Sequence, residues 1–219
     1  VTAERRVRAP AVPEPDVARH LEPIDAGALT SATLSAVDLT GADLLGAGLD
    51  EVQVEASALE RVRGASGSWR HTTFVDCRLD GSDLANLRAE DLTLVRCSLR
   101  EVRLTGAQLP GVRLRGVLLE GAQASLSSWR GALLQHVVLR GCDLREADLT
   151  DAVLTDVLLE DCDLSGAQLS GVRCEHVHLS GCRVSGLGGV SGLRGASVAE
   201  ADAYELLPVL ARELGITIR

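Results

Sequence analysis

The amino-acid sequence predicts an all-β fold, a four-sided parallel β-helix (solenoid) of about eight coils with a C-terminal α-helical cap. Three observations predict it. From Val137 to Gly171 the chain cuts without remainder into five-residue words, VVLRG, CDLRE, ADLTD, AVLTD, VLLED, CDLSG and AQLSG, each with leucine third and a small or β-branched residue first. The phase of these words survives from Leu29 to Val184 with no insertion. Residues twenty apart resemble each other: Leu39, Leu59, Leu79, Leu99, Leu119, Leu139, Leu159 and Leu179 form an unbroken column, and Val117, Val137, Val157 and Val177 another.

Neither a helix nor a straight strand uses this period. Five residues advance a helix by about 500°, which scatters the leucines around its axis. In a strand the odd step sends alternate leucines to opposite faces. The leucine and the residue two before it share one side of a short extended segment, so the remaining three residues must turn the corner. Four such faces per twenty-residue coil make a square tube.

The elements follow in order. Residues 1–25 carry Pro10, Pro13, Pro15 and Pro23 among mixed charges with no apolar period, and read as an irregular leader that covers the first coil. Residues 26–198 are the coil. Two of its leucine positions hold small residues, each followed one face later by a large one: Gly64 by Trp69, and Ala124 by Trp129. We expect the indoles to fill the space the missing leucines leave. Leu87 and Ala89 exchange sizes in the same way. After Gly186 the phase slips. Residues 199–219 form the cap: Ser197 and Glu200 suggest a capping box opening a helix with Ala203, Leu207, Leu210 and Leu214 on one stripe, kinked or divided at Pro208 and ended by Gly215, before Ile216–Ile218 finish extended. Leu207, Leu210 and Leu214 are the candidate dimerisation residues.

Words such as ADLLG at Ala42, CDLRE at Cys142 and ADLTD at Ala147 resemble the A-(D/N)-L-x-x motif of pentapeptide repeat proteins, over residues 27–186. The resemblance implies a right-handed coil. It also implies a function found in some members, which resemble duplex DNA in size, shape and charge, occupy the DNA groove of type II topoisomerases such as DNA gyrase, and protect them from quinolones.

Composition narrows the chemistry. Aromatic residues make up only 2% of the chain, so the core is built of Leu, Val and Ala in narrow layers. The net charge of −9 and the absence of lysine argue against direct nucleic-acid binding, which draws on clustered basic residues. No apolar run reaches membrane-spanning length and no secretory signal is visible, so a cytoplasmic location is expected, with the 6 cysteines reduced.

A tube filled with leucine layers has no concave pocket, so no catalytic residue, metal or other cofactor is expected. Cys142, Cys162 and Cys182 stack as small core residues. His136, Asp156 and His176 share one outward column and are zinc-type ligands by chemistry, although a solvated surface ladder is the commoner use of such residues. Function is expected on the outside, in a non-enzymatic scaffold or protein-interaction module. The candidate partner surface comprises Asp50, Glu51, Glu90, Asp91, Asp148 and Asp151 on the face bearing the tryptophans, with Glu160 and Asp161 on the face of the leucine column. Arginines interleave with acids there and suggest ladders of weak surface pairs.

Overall fold

The computed structural model describes residues 10–23 and 29–217. It is a quadrilateral parallel β-solenoid of about eight turns with a short helical cap. Within the coil, paired strands are parallel and twenty residues apart: Leu119 faces Leu139, Leu139 faces Leu159, and Leu159 faces Leu179. From Val52 to Val172, every residue at the leucine position and two before it is buried.

The corners explain why the period is five. From Ser31 to Gly186, every fifth residue has a φ between 48° and 73°. A left-handed residue reverses the pleat at each corner, so the odd step returns the next leucine to the interior. Glycine at Gly41, Gly106 or Gly116 adopts this conformation freely. Leu126, His136 and Arg61 do so at a cost of about 1 kcal/mol or more each, held by the hydrogen bonds on either side.

Packing closes around the exceptions. A Cβ built on Gly64 would stand 2.9 Å from Leu84 Cδ2 and 3.3 Å from Trp69 Cζ2, so these two side chains occupy the space a leucine would take. Trp69 also packs on Phe74, with ring centroids 5.6 Å apart. Ala124 and Trp129 are both buried, as are Leu87 and Ala89. A gap of about 20 Å³ among the axial leucines is walled by apolar side chains.

Both ends depart from the sequence expectations. The described leader does more than meet the first coil: Glu22–Pro23 pair with Val37–Asp38, and the chain then lies along the outside of the tube, because its prolines and charges suit a solvated path better than a buried cap. At the other end Val190–Leu193 form a 3-10 turn, Ser197–Val198 pair with His178–Leu179, and the helix α1 spans Glu200–Glu213. The expected capping box does not form. Ala199 is the N-cap without a side-chain bond, and Ser197 is engaged instead with Val177 O at 3.2 Å and His178 Nδ1 at 3.0 Å. Pro208 leaves α1 undivided. Leu206 and Val209 form the face of α1 that is buried, whereas Ala203, Leu207, Leu210 and Leu214 are exposed. Ile218 lies outside the described residues.

Candidate interaction surface

Because two of every five residues face inward and one turns the corner, the side chains left for function stand in outward columns with a coil spacing of about 4.8 Å. One column on the face of the leucine column is an unbroken ion-pair ladder. Arg100 lies 3.3 Å from Asp80 and 3.4 Å from Glu120, and Arg140 lies 3.6 Å from Glu120 and 2.7 Å from Glu160. Another runs Asp43 to Arg63 at 3.1 Å, Asp83 to Arg103 at 3.5 Å and Asp163 to Arg183 at 2.8 Å. Most of these pairs are exposed and contribute little stability singly, and each neutralises a carboxylate otherwise open to a partner.

The acids singled out from the sequence fall into two groups. Asp50 is held by Arg70 at 2.6 Å and by His71 at 3.3 Å, and the bond from His71 keeps its carboxyl below the usual carboxylate range. Asp91 pairs with Arg113 at 3.5 Å, Asp148 with Arg130 at 2.9 Å, and Glu160 with Arg140. Glu51, Glu90, Asp151 and Asp161 have no ion-pair partner among the described residues and are exposed. Asp151 and Asp161 lie over Gly171 and Gly181 of the next coil, where a Cβ would collide with their carboxylates. Corner residues Glu101 and Glu146, which lie outside the partner surface expected from the sequence, are likewise exposed and outside the ion pairs among the described residues. The glycine-rich register of the corners was the signal that could have found them.

His136, Asp156 and His176 do meet, as a ladder of side-chain contacts. Asp156 takes His136 Nδ1 at 3.3 Å on one oxygen and His176 Nδ1 at 3.1 Å on the other. The two imidazoles thus address opposite sides of one carboxylate. Among the described residues, no three His, Cys, Asp or Glu side chains converge as a metal ion requires.

The cysteines are free. Cys142 Sγ lies 3.5 Å from both Leu119 O and Arg140 O, and Cys162 and Cys182 repeat the arrangement one and two coils on. Contact with Cys142, together with burial, pushes the Cys162 thiol up to about 12, and burial alone pushes half-buried Cys174 up to about 11. Burial thus disfavours the thiolate form of both at neutral pH.

A coil of this register is a family signature, and residues 82–121, 113–160 and 147–186 match the family model of pentapeptide repeats in 8 copies. The chain belongs to the pentapeptide repeat family. Among solved pentapeptide repeat structures it is similar to HetL, involved in heterocyst differentiation regulation in the cyanobacterium Nostoc sp. strain PCC 7120, with 22% identity over 77% of this chain and 87% of that one and a TM-score of 0.32. It is also similar to full-length QnrB1, a plasmid-mediated fluoroquinolone resistance protein, with 17% identity over 84% and 100% of the two chains and a TM-score of 0.37. Rfr23 from the cyanobacterium Cyanothece 51142 shares 29% identity over 44% of this chain and 63% of that one, with a TM-score of 0.24. No curated protein matches the chain. Among the described residues, no helix of this pentapeptide repeat protein is long and apolar enough to cross a membrane.

Proposed function

We propose that this pentapeptide repeat protein is a non-enzymatic scaffold, a rigid acidic rod that binds a protein partner through its outer faces, and that the partner is a type II topoisomerase such as DNA gyrase, in which the rod takes the place of duplex DNA. The scaffold reading is supported by the division of labour along the repeat. The inward residues are committed to packing, and the outward ones stand on a rigid ladder, so binding energy is not spent on ordering the surface.

The single observation favouring the topoisomerase is the set of exposed corner carboxylates outside the ion pairs, Glu51, Glu101, Glu146, Asp151 and Asp161, which leave the rod with negative edges despite its ladders. A groove that binds DNA phosphates is basic and attracts such edges. The test is a supercoiling assay with purified gyrase, with and without a quinolone. Micromolar protein is expected to inhibit supercoiling or to rescue the poisoned enzyme, and neither effect at that concentration would sink the reading.

We further propose that two copies pair through α1. Leu207, Leu210 and Leu214 are 54%, 42% and 72% exposed, Tyr204 and Ile216 are exposed beside them, and Leu210 borders a cleft of about 310 Å³ lined by Val190, Leu193, Val198 and Leu206. Apolar residues at this spacing on an otherwise charged helix are characteristic of an unpaired interface. Light scattering is expected to give the mass of a dimer for the native chain and of a monomer for Leu207→Glu with Leu210→Glu. An unchanged mass in the variant would exclude this interface.

A further inference from the structure

The leader follows a course that nothing in the repeat requires. Apart from the short pairing of Glu22–Pro23 with Val37–Asp38, its described part climbs one corner of the tube and crosses the coils. Glu22 N–H donates to Ala36 O at 2.9 Å, Ala18 N–H to Ala56 O at 2.9 Å, and Asp16 N–H to Asp76 Oδ1 at 3.4 Å. Higher up, Arg100 Nη2 donates to Glu14 Oε1 at 2.7 Å, and Pro13 reaches Gly116. Ala36, Ala56, Asp76, Arg96 and Gly116 are the left-handed residues of five successive coils, one above the other.

The corner is equipped for a peptide. Ala36 and Ala56 use their own N–H groups on Glu55 O and Val75 O in the coil ladder, while their carbonyls are taken by the leader. Arg100, besides its pairs with Asp80 and Glu120, meets Glu14 at 2.7 Å, and Arg96 adds positive charge near Asp16. Arg96 is also paired with Asp76 through two bonds, at 2.8 and 2.5 Å, so its position is held whether or not the leader is present. Pro10, Pro13 and Pro15 deny the leader the N–H groups that would make it a true strand, and its contacts are correspondingly sparse for a segment spanning five coils.

We propose that this corner is a docking track for an extended, acidic, proline-containing peptide, that the leader is its resident intramolecular occupant, and that an acidic segment of a partner protein takes the track by displacing it. The reading is independent of gyrase, whose assay concerns the negative edges of the other corners. The occupied state persists because a tethered ligand competes at high effective concentration. Weak, displaceable contacts in the leader are what exchange requires.

The probe is a fluorescein-labelled peptide with the sequence of residues 10–23, titrated into the full chain and followed by anisotropy. In the full-chain variant Glu14→Arg with Asp16→Arg the tethered leader is repelled by Arg96 and Arg100, and the native-sequence peptide is expected to bind at least tenfold more tightly than it does to the native chain. A peptide carrying the same two reversals is expected to bind neither chain. Equal affinity of the native-sequence peptide for both chains, no binding to the variant, or equal binding of the reversed peptide would each overturn the proposal. Amide exchange of the coil, to which the leader contributes no core residue, verifies in the same samples that the variant is folded.

Discussion

Trp129 Nε1 donates a hydrogen bond to Ser127 Oγ at 2.6 Å, and Ser127 in turn donates to Ala124 O at 2.5 Å. Three coils earlier the same place in the repeat is filled by Trp69, Gly67 and Gly64, and there the buried indole N–H has no partner. The two sites are the same solution to a missing leucine, one complete and one lacking a hydroxyl.

Gly67→Ser is therefore expected to stabilise the protein by about 1 kcal/mol, the net worth of a buried hydrogen bond. A Cβ at this position would stand 3.0 Å from Ala47 O and 3.1 Å from Gly64 O, so the gain requires the backbone there to give by a few tenths of an ångström. Conversely, Ser127→Gly is expected to destabilise by about 1–3 kcal/mol through loss of that partner. Urea midpoints at constant m-value check both, and a destabilised Gly67→Ser variant would show that the coil cannot yield at Ala47.

Leu126 is a leucine held at φ 59° on a corner, with 57% of its surface exposed, so its side chain gains little from the fold while its backbone is strained. Leu126→Gly is expected to raise stability by up to about 1 kcal/mol, the relief of left-handed strain less the extra entropy of glycine in the unfolded chain. The same substitution at a face position such as Leu119 is expected to destabilise by more than about 3 kcal/mol, because it opens a cavity between two neighbouring coils. Thermal unfolding of the two variants separates corner from face.

Thiol chemistry offers a test of the core. At pH 8 a chromogenic disulfide reagent is expected to label Cys174 slowly and the five buried cysteines only upon unfolding, since burial holds Cys174 up near 11 and the stacked thiols are excluded from solvent. Rapid labelling of Cys142 or Cys162 in the native protein would mean that the coil opens locally near these residues.

The outward pairs make stability depend on pH with a definite sign. The bond from Arg96 holds the Asp76 carboxyl below its usual range, and the bond from Arg145 does the same for Asp143. Groups with depressed folded-state values contribute stability that is present above the unfolded carboxylate value near 4 and lost as the pH falls through the folded value. Urea midpoints are expected to fall between pH 5 and pH 3, and to fall less in Asp76→Asn and Asp143→Asn, whose native-state advantage is already gone. A midpoint rising with acidity would contradict this.

The coil was legible in the sequence because its inward positions have no alternative. A residue between two coils 4.8 Å apart must match those above and below, so packing writes the period, the phase and the twenty-residue columns into the chain. The leucine column, the indoles opposite small residues and the stacked cysteines could all be placed this way. Tertiary structure alone decided the leader's path and the buried stripe of α1. Leu206 and Val209 lie beside the comparably apolar Leu207 and Leu210 in α1, and only the geometry of the last coil determines which pair faces it. Likewise, Ala18 and Asp16 meet Ala56 and Asp76 through single bonds across long stretches of chain. Such contacts have no period, and their residues have water as an alternative partner, so the sequence by itself leaves them open.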